Sequence, residues 1–328
     1  MGEKTKIASS PGQIFLFGEH AVVYGFPALA TAINMRTEVQ AELGSNNKIE
    51  IHSQGVGKLE GEVKEVNGKW SIKKKSGDSE KLRFVTEVIQ LTLNHIDRGD
   101  GFRIYIKSDL PPGSGLGSSS AVTTATAAAV SSALGKNLTR EEISDLAYNS
   151  ELEVQGAASR TGVNVATYGG FLKIQESEKK SLERLPKLKI LIGYTGNYSN
   201  TGKLVGNVRG LKESRPTIVN PILKAIGKAT ESGIESLEEG NLERVGVLMN
   251  ANQSLLRGLN VSSPHLNDLI QAARSSGALG AKLTGAGGGG CMIALSQEDI
   301  DRISKSISEA GGESMEAKIG AEGLKNDQ

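Results

Sequence analysis

The residues best suited to chemistry lie in the run Pro111–Ala121, PPGSGLGSSSA. Gly113, Gly115 and Gly117 stand at alternate positions, and Ser118, Ser119 and Ser120 follow them. Glycines carry no Cβ to keep a ligand off the backbone. A helix that starts here adds unpaired N–H groups and the positive end of its dipole. That combination is an anion site, usually for phosphate, and the serine hydroxyls are placed to reach a phosphate oxygen or a metal ion. The run is not a Walker A loop, because no Lys-Ser or Lys-Thr closes it. Its G-x-G-x-G spacing also differs from the dinucleotide fingerprint. The competing reading is a glycine turn that only packs a helix against a strand.

Two further stretches have the same character. Glu19 and His20 sit in a turn between apolar runs, where an idle charged pair would be costly. Thr284–Gly290 (TGAGGGG) is a second glycine loop between apolar strands, so it either approaches a ligand closely or moves. The four histidines, His20, His52, His95 and His265, show no metal-binding spacing. Cys291 is the sole cysteine, which excludes an internal disulfide, fits a reducing cytoplasm and reads as a small buried hydrophobe.

The elements that must position these residues can be read from periodicity. Phe102–Ile106 alternates as a strand before the first glycine loop, and the alanine-rich Ala121–Leu134 reads as a helix after it. Ile14–Phe17, Ala28–Ile33, Thr37–Leu43 and Lys48–His52 read as strands, and Asn67-Gly68 as a tight hairpin turn. Leu82–Ile96 has helical spacing, whereas the charged Lys73–Lys81 reads as an exposed loop. Thr139 with Glu142 is a capping box. It opens a helix to about Val154 that carries Tyr148, Glu151 and Gln155 on one face. Ala166–Ile174 reads as a strand, and so does Leu188–Tyr194. Helices follow over Ile218–Glu231, Asn241–Leu256 and Pro264–Ser276, then a strand over Cys291–Leu295, a helix over Glu298–Ala310 and a loose tail from Glu322 to Gln328. The fold class is α+β: a strand-rich lobe (1–180) and a helix-rich lobe (181–328), with the glycine loops and the Glu19–His20 turn lining the cleft between them.

Composition narrows the function. The chain has 328 residues and a net charge of +1, so no basic surplus points to nucleic acid. Aromatic residues make up 4%, too few for base-stacking platforms. No apolar run of about 18 residues signals a membrane span, and the first residues show no charged-then-apolar signal pattern. The expectation is a cytoplasmic enzyme acting on a small molecule, with no membrane or nucleic-acid partner.

In order, SSPGQIFLFGEHAVVYG (9–25), PPGSGLGSSSA (111–121) and KLTGAGGGGC (282–291) resemble the three motifs of the GHMP small-molecule kinases. GEHAVVYG, VQGAASRTGVNVATYGG (154–170) and YTGNYSNTGKLVGNVR (194–209) bring the chain nearest to the archaeal branch that acts on mevalonate. The resemblance implies ATP as co-substrate, with the triphosphate held by Pro112, Gly113, Ser114, Gly115, Leu116, Gly117, Ser118 and Ser119. It implies Mg²⁺ on Ser119 and Glu151, and an acceptor near Glu19, His20, Thr201 and Gly287. It also leaves a homodimer among the expectations.

Two positions depart from the family pattern. Gln13 stands where the family carries a lysine. Gly162, six residues before Tyr168 and eleven after Glu151, stands where it carries the catalytic aspartate. Arg160 and Asn164 are the candidate substitutes. Three outcomes stay open: transfer to mevalonate with the pair replaced, transfer to another and already ionised acceptor, or nucleotide binding by a protein that has lost catalysis and serves as a regulatory partner.

Overall fold

The computed structural model describes residues 5–44, 46–156, 158–176, 178–297 and 300–326. The N-terminal lobe is built on a mixed sheet. Its long central pair is β1 (Lys6–Phe17) and β2 (Ala28–Leu43), antiparallel from Lys6 opposite Ala41 to Phe17 opposite Leu29. The register shifts between Pro11 and Gln13. This bulge re-aims the side chain that follows it, and the Gln13 N–H leaves the β1–β2 ladder to donate to Leu116 O at 2.8 Å. Beyond β2 come β3 (Lys48–Ser53), β4 (Gly57–Val66), β5 (Lys69–Gly77) and β6 (Phe102–Ser108), in the order β2-β6-β3-β4-β5. The pair β3–β6 is parallel.

Three helices cover one face of this sheet: α1 (Arg83–Ile96), α2 (Ser118–Ala133) and α3 (Arg140–Gln155). Helix α2 is buried from Ala121 almost to its end. Its alanines and threonines are small enough to run between the sheet and the other two helices. Helix α3 starts on the expected capping box, with Glu142 N donating to Thr139 Oγ1 and Thr139 N donating to Glu142 Oε2. Helix α4 (Arg160–Tyr168) leads into β7 (Phe171–Gln175) and β8 (Glu178–Leu182), which extend the sheet from β2.

The C-terminal lobe has a four-stranded antiparallel sheet. Strands β9 (Lys189–Tyr194), β10 (Gly280–Leu283), β11 (Cys291–Ser296) and β12 (Glu313–Ala317) are ordered β10-β11-β9-β12. It packs with α5 (Thr201–Ser214), α6 (Pro216–Glu238), α7 (Leu242–Gly258), α8 (Pro264–Ser275) and α9 (Ile300–Glu309). The two lobes share a hydrophobic cluster: Phe17, Leu29 and Ile33 pack with Ile192, Leu237 and Ile293.

Several expectations change. Ala28–Ile33 and Thr37–Leu43 form one strand, because pairing with β1 carries through the join. Residues 166–168 end a helix instead of starting a strand: Ser159 Oγ caps Thr161 N at 3.2 Å, and Gly169 stops the helix with φ 71°. The charged Lys73–Gly77 forms the outer half of β5, where lysines protect an open sheet edge. Glu298 lies outside the described residues, so the last helix is seen from Ile300. The tail is not loose up to Asn326: β13 (Lys325–Asn326) pairs with β1, and Glu322 bridges to Gly169. Asp327 and Gln328 lie outside the described residues. The chain thus returns to the first lobe after leaving it between Leu182 and Lys189.

Arg36 on β2 fastens that return. Its guanidinium donates to Ser9 O and Ser9 Oγ on one side and to Glu322 O and Gly323 O on the other, at 2.7–3.1 Å. Hydrogen bonds from a charged group contribute about 1.5–3 kcal/mol. Arg36→Ala should therefore lower the opening free energy of residues 319–326 by that order, read as faster amide hydrogen exchange there. Unchanged protection in that segment would contradict the assignment.

Candidate active site

The first glycine loop ends at Gly117, which takes φ 76° and starts α2 with no side-chain cap. The first helical bond runs from Ala121 N to Gly117 O. The N–H groups of Ser118, Ser119 and Ser120 are therefore left over by the helix and available to an anion. They open into a cleft of about 890 Å³ between the lobes. The second glycine loop forms the facing wall. A Cβ on Gly285, at φ 75°, would sit 2.7 Å from Gly115 O, so only glycine permits this approach. Hydrogen bonds hold the contact: Ser199 N donates to Gly113 O, Ser199 Oγ to Gly287 O and Thr195 Oγ1 to Gly290 O, at 2.6–3.0 Å.

Glu151, from α3, reaches the same end of the cleft and is 5% exposed. Ser120 Oγ donates to its Oε1 at 2.8 Å. Burial raises the Glu151 pKa, opposed only by the Ser119 and Ser120 hydroxyls; no cationic side chain offsets it. A buried carboxylate without a cation is an unfavourable arrangement that a bound cation would relieve. Among the described residues, no three His, Cys, Asp or Glu side chains cluster for a metal. A divalent ion here would draw on one carboxylate, a hydroxyl and the ligand's own oxygens. Mg²⁺ accepts that donor set.

Glu19 and His20 also line the cleft and come from the turn after β1. His20 holds φ 61°, a strained value for a residue with a side chain. Its Nε2 lies 2.9 Å from Ala286 O. A carbonyl only accepts, so Nε2 carries the proton and Nδ1 of the neutral ring is free to accept. Burial holds the His20 pKa below its ordinary value, the bond to Ala286 opposing. Glu19 is ion-paired with Lys282, and Asn252 Nδ2 donates to its Oε2 at 3.2 Å. Both charged side chains are fully enclosed, Glu19 at 1% and Lys282 at 0% exposure. Burial raises the Glu19 pKa and lowers that of Lys282, and the pairing opposes both shifts only in part.

Similarity to known proteins follows the same division. Residues 83–170 match the GHMP kinases N terminal domain, and 234–313 match GHMP kinases C terminal. Residues 1–42 match the galactokinase galactose-binding signature, which covers the Glu19–His20 turn. Mevalonate kinases of Thermococcus gammatolerans and Pyrococcus furiosus are each 44% identical to the chain, over 97% of both lengths. The chain belongs to the GHMP kinases. The solved mevalonate kinase of Methanococcus jannaschii has a TM-score of 0.81 at 30% identity, over 97% of this chain and 99% of that one. The L. major mevalonate kinase, solved with R-mevalonate, has a TM-score of 0.80 at 27% identity, over 98% and 96%.

Within this GHMP kinase, the expected site residues divide. Pro112, Gly113, Gly115, Gly117, Ser118 and Ser119 line the cleft, as do Glu19, His20, Glu151 and Thr201. Ser114 and Leu116 are fully buried beneath the loop. Gly285 and Ala286 line the cleft in place of Gly287, whose Cα faces Val261 O. The two candidate substitutes turn elsewhere. Arg160 is paired with Asp145 at 2.6 Å and stacks over Tyr148, and Asn164 is buried next to Ser144. Neither lines the cleft. Sequence reading missed Lys282, and it placed Ser120 among the helix-mouth hydroxyls without assigning it a protein partner. A lone lysine in the buried strand GAKL was the available signal for the first. The run of three serines gave no sign of which hydroxyl would meet Glu151.

Gln13 and Gly162 do meet. A Cβ on Gly162 would overlap Ser120 Oγ and lie 3.1 Å from Gln13 Nε2. Ser120 thus fills the space into which an aspartate at 162 would grow. Helical Gly→Ala ordinarily stabilises by about 0.5–1 kcal/mol. Here Ser120 must rotate off Glu151, which costs about 1–3 kcal/mol for a buried acceptor losing its donor. The second effect wins, so Gly162→Ala should lower stability in urea melts. In a Ser120→Ala background that loss should shrink, leaving only the tight contacts at 3.1 Å to Gln13 Nε2 and 3.2 Å to the Cβ of residue 120. Equal effects in both backgrounds would refute the overlap.

The His20 shift gives a pH expectation. Below about pH 6.5 the unfolded chain binds a proton that the folded ring refuses. His20 therefore contributes stability that is lost as pH falls from 6.5 toward the depressed folded pKa. His20→Asn, which tolerates positive φ, should show a smaller drop in melting temperature between pH 7.5 and 5.5 than the wild type. An equal drop would count against a buried neutral ring.

Proposed function

We propose that the chain transfers the γ-phosphoryl group of ATP to the primary hydroxyl of mevalonate, forming 5-phosphomevalonate and ADP in the cytoplasm. The observation that carries this reading is the full-length similarity, at 41–44% identity, to six archaeal proteins named mevalonate kinase. The cleft supports it chemically. The backbone N–H groups of Ser118–Ser120 bind the triphosphate and align it with the α2 dipole. Ser119 and Glu151 would hold Mg²⁺, which supplies positive charge against the phosphates. His20 Nδ1 and Thr201 orient the acceptor from the opposite wall. The acceptor oxygen attacks the γ-phosphorus, the bond to the bridging oxygen breaks, and ADP leaves with that electron pair. Such transfer depends mainly on positioning and charge neutralisation and demands little of a base.

The neutral pair Gln13 and Gly162 favours one second reading, a nucleotide-binding protein that does not turn over. A coupled assay for ADP with Mg-ATP separates the two. The proposed function requires ADP formation that depends on mevalonate. Glu151→Gln should reduce kcat by about 10²-fold or more, the scale on which losing one transition-state stabiliser acts. ATP binding with mevalonate-independent background in both proteins would establish the second reading.

A further inference from the structure

Several buried side-chain atoms among the described residues have no hydrogen-bond partner, and Gln13 Oε1 alone belongs to a residue that lines the cleft. Gln13 is 7% exposed. Its backbone is fixed by the β1 bulge and by the bond from its N–H to Leu116 O. Its side chain passes close to Gly117, where a Cβ would lie 2.7 Å from Gln13 Cγ, and its amide ends beside Gly162. The missing side chains at 117 and 162 make room for the amide, and Ser120 closes the far side. A buried carbonyl left unmatched costs about 1–3 kcal/mol. Oε1 is itself closed off from the cleft, but no hydrogen bond from the described residues holds the amide, so a half-turn of the amide exchanges Oε1 with Nε2 and offers the carbonyl to a ligand on the Gly162 side.

Resting on the mevalonate reading above, we infer that Gln13 Oε1 accepts the hydrogen bond of the acceptor hydroxyl and fixes its oxygen for attack. Gln13 thereby does by position what the aspartate does in other members of the family. An amide is no base at neutral pH. As the new O–P bond forms, the hydroxyl proton passes to a non-bridging oxygen of the transferred group, and ADP departs with the electron pair of the broken P–O bond. A neutral acceptor also brings no negative charge toward the triphosphate. A carboxylate at 162 would do so, and it would displace Ser120 from Glu151.

The test compares Gln13→Met, Gln13→Glu and Gln13→Lys with the wild type on mevalonate and ATP. Methionine keeps the length and removes the acceptor, glutamate keeps an acceptor oxygen, and lysine supplies donors only. The Met and Lys variants should lose about 10- to 100-fold in kcat, the effect of one hydrogen bond made in the transition state. Their KM for ATP should stay within about twofold, and the Glu variant should retain more kcat than either. Wild-type kcat in the Met variant, or a Lys variant that outperforms the Glu variant, overturns the role. A wild type silent on mevalonate overturns the substrate reading instead. Gln13 is then judged on the slow hydrolysis of ATP, where water replaces the alcohol. There the Met variant should be slower, and an equal rate would overturn the inference. A wild type that neither phosphorylates mevalonate nor hydrolyses ATP overturns both.

Discussion

The two glycine loops touch backbone to backbone, and the cleft depends on that contact. The 111–120 run presents N–H groups to an anion only because α2 begins uncapped behind it. It is held in place by the 284–290 run, where Gly285 meets Gly115 and Gly290 meets Ser114 at distances that exclude any side chain. The first run leads into a helix of the N-terminal lobe. The second joins β10 to β11 of the C-terminal lobe. The interface between lobes and the floor of the site are therefore the same surface, and loss of one would disorder the other.

Charge reinforces this arrangement away from the phosphate end. Glu19 and Lys282 come from different lobes and meet in full burial. Such a pair gives little net stability, yet removing either member leaves a buried charge that costs about 3–5 kcal/mol. Its effect is to fix one relative placement of the Glu19–His20 turn and β10. That placement brings His20 to Ala286 of the second loop. Glu19 is thus an anchor for the turn as well as a cleft-lining carboxylate, and His20 is the member of the dyad with an unoccupied acceptor nitrogen.

Much of this was legible in the sequence, and the parts that were not have specific causes. Pattern reading gave α1 from one buried face, α3 from its capping box, and β9 and β11 from continuous apolar runs buried on both sides. It misplaced residues 166–168, where Ser159 as a cap outweighs a β-like run, and it missed Gly280–Leu283, a strand of four residues buried on both sides. The glycine loops were readable because backbone-built sites leave glycine behind. The arrangement around Gly162 was not. Its meaning lies in a hydroxyl 42 positions earlier in the chain, at Ser120, and in a bulge that turns Gln13 inward. Spacing offered Arg160 and Asn164 because they are near in sequence, but helix geometry points them away from the cleft.

The central claim is that this cleft moves a phosphoryl group from ATP to the primary hydroxyl of mevalonate. A single-turnover experiment with γ-labelled ATP, excess purified protein, Mg²⁺ and mevalonate tests it most directly. The account predicts that the label appears as one phosphomonoester on the primary carbon of mevalonate, in step with ADP. Label recovered only as inorganic phosphate, or left in ATP, would contradict it.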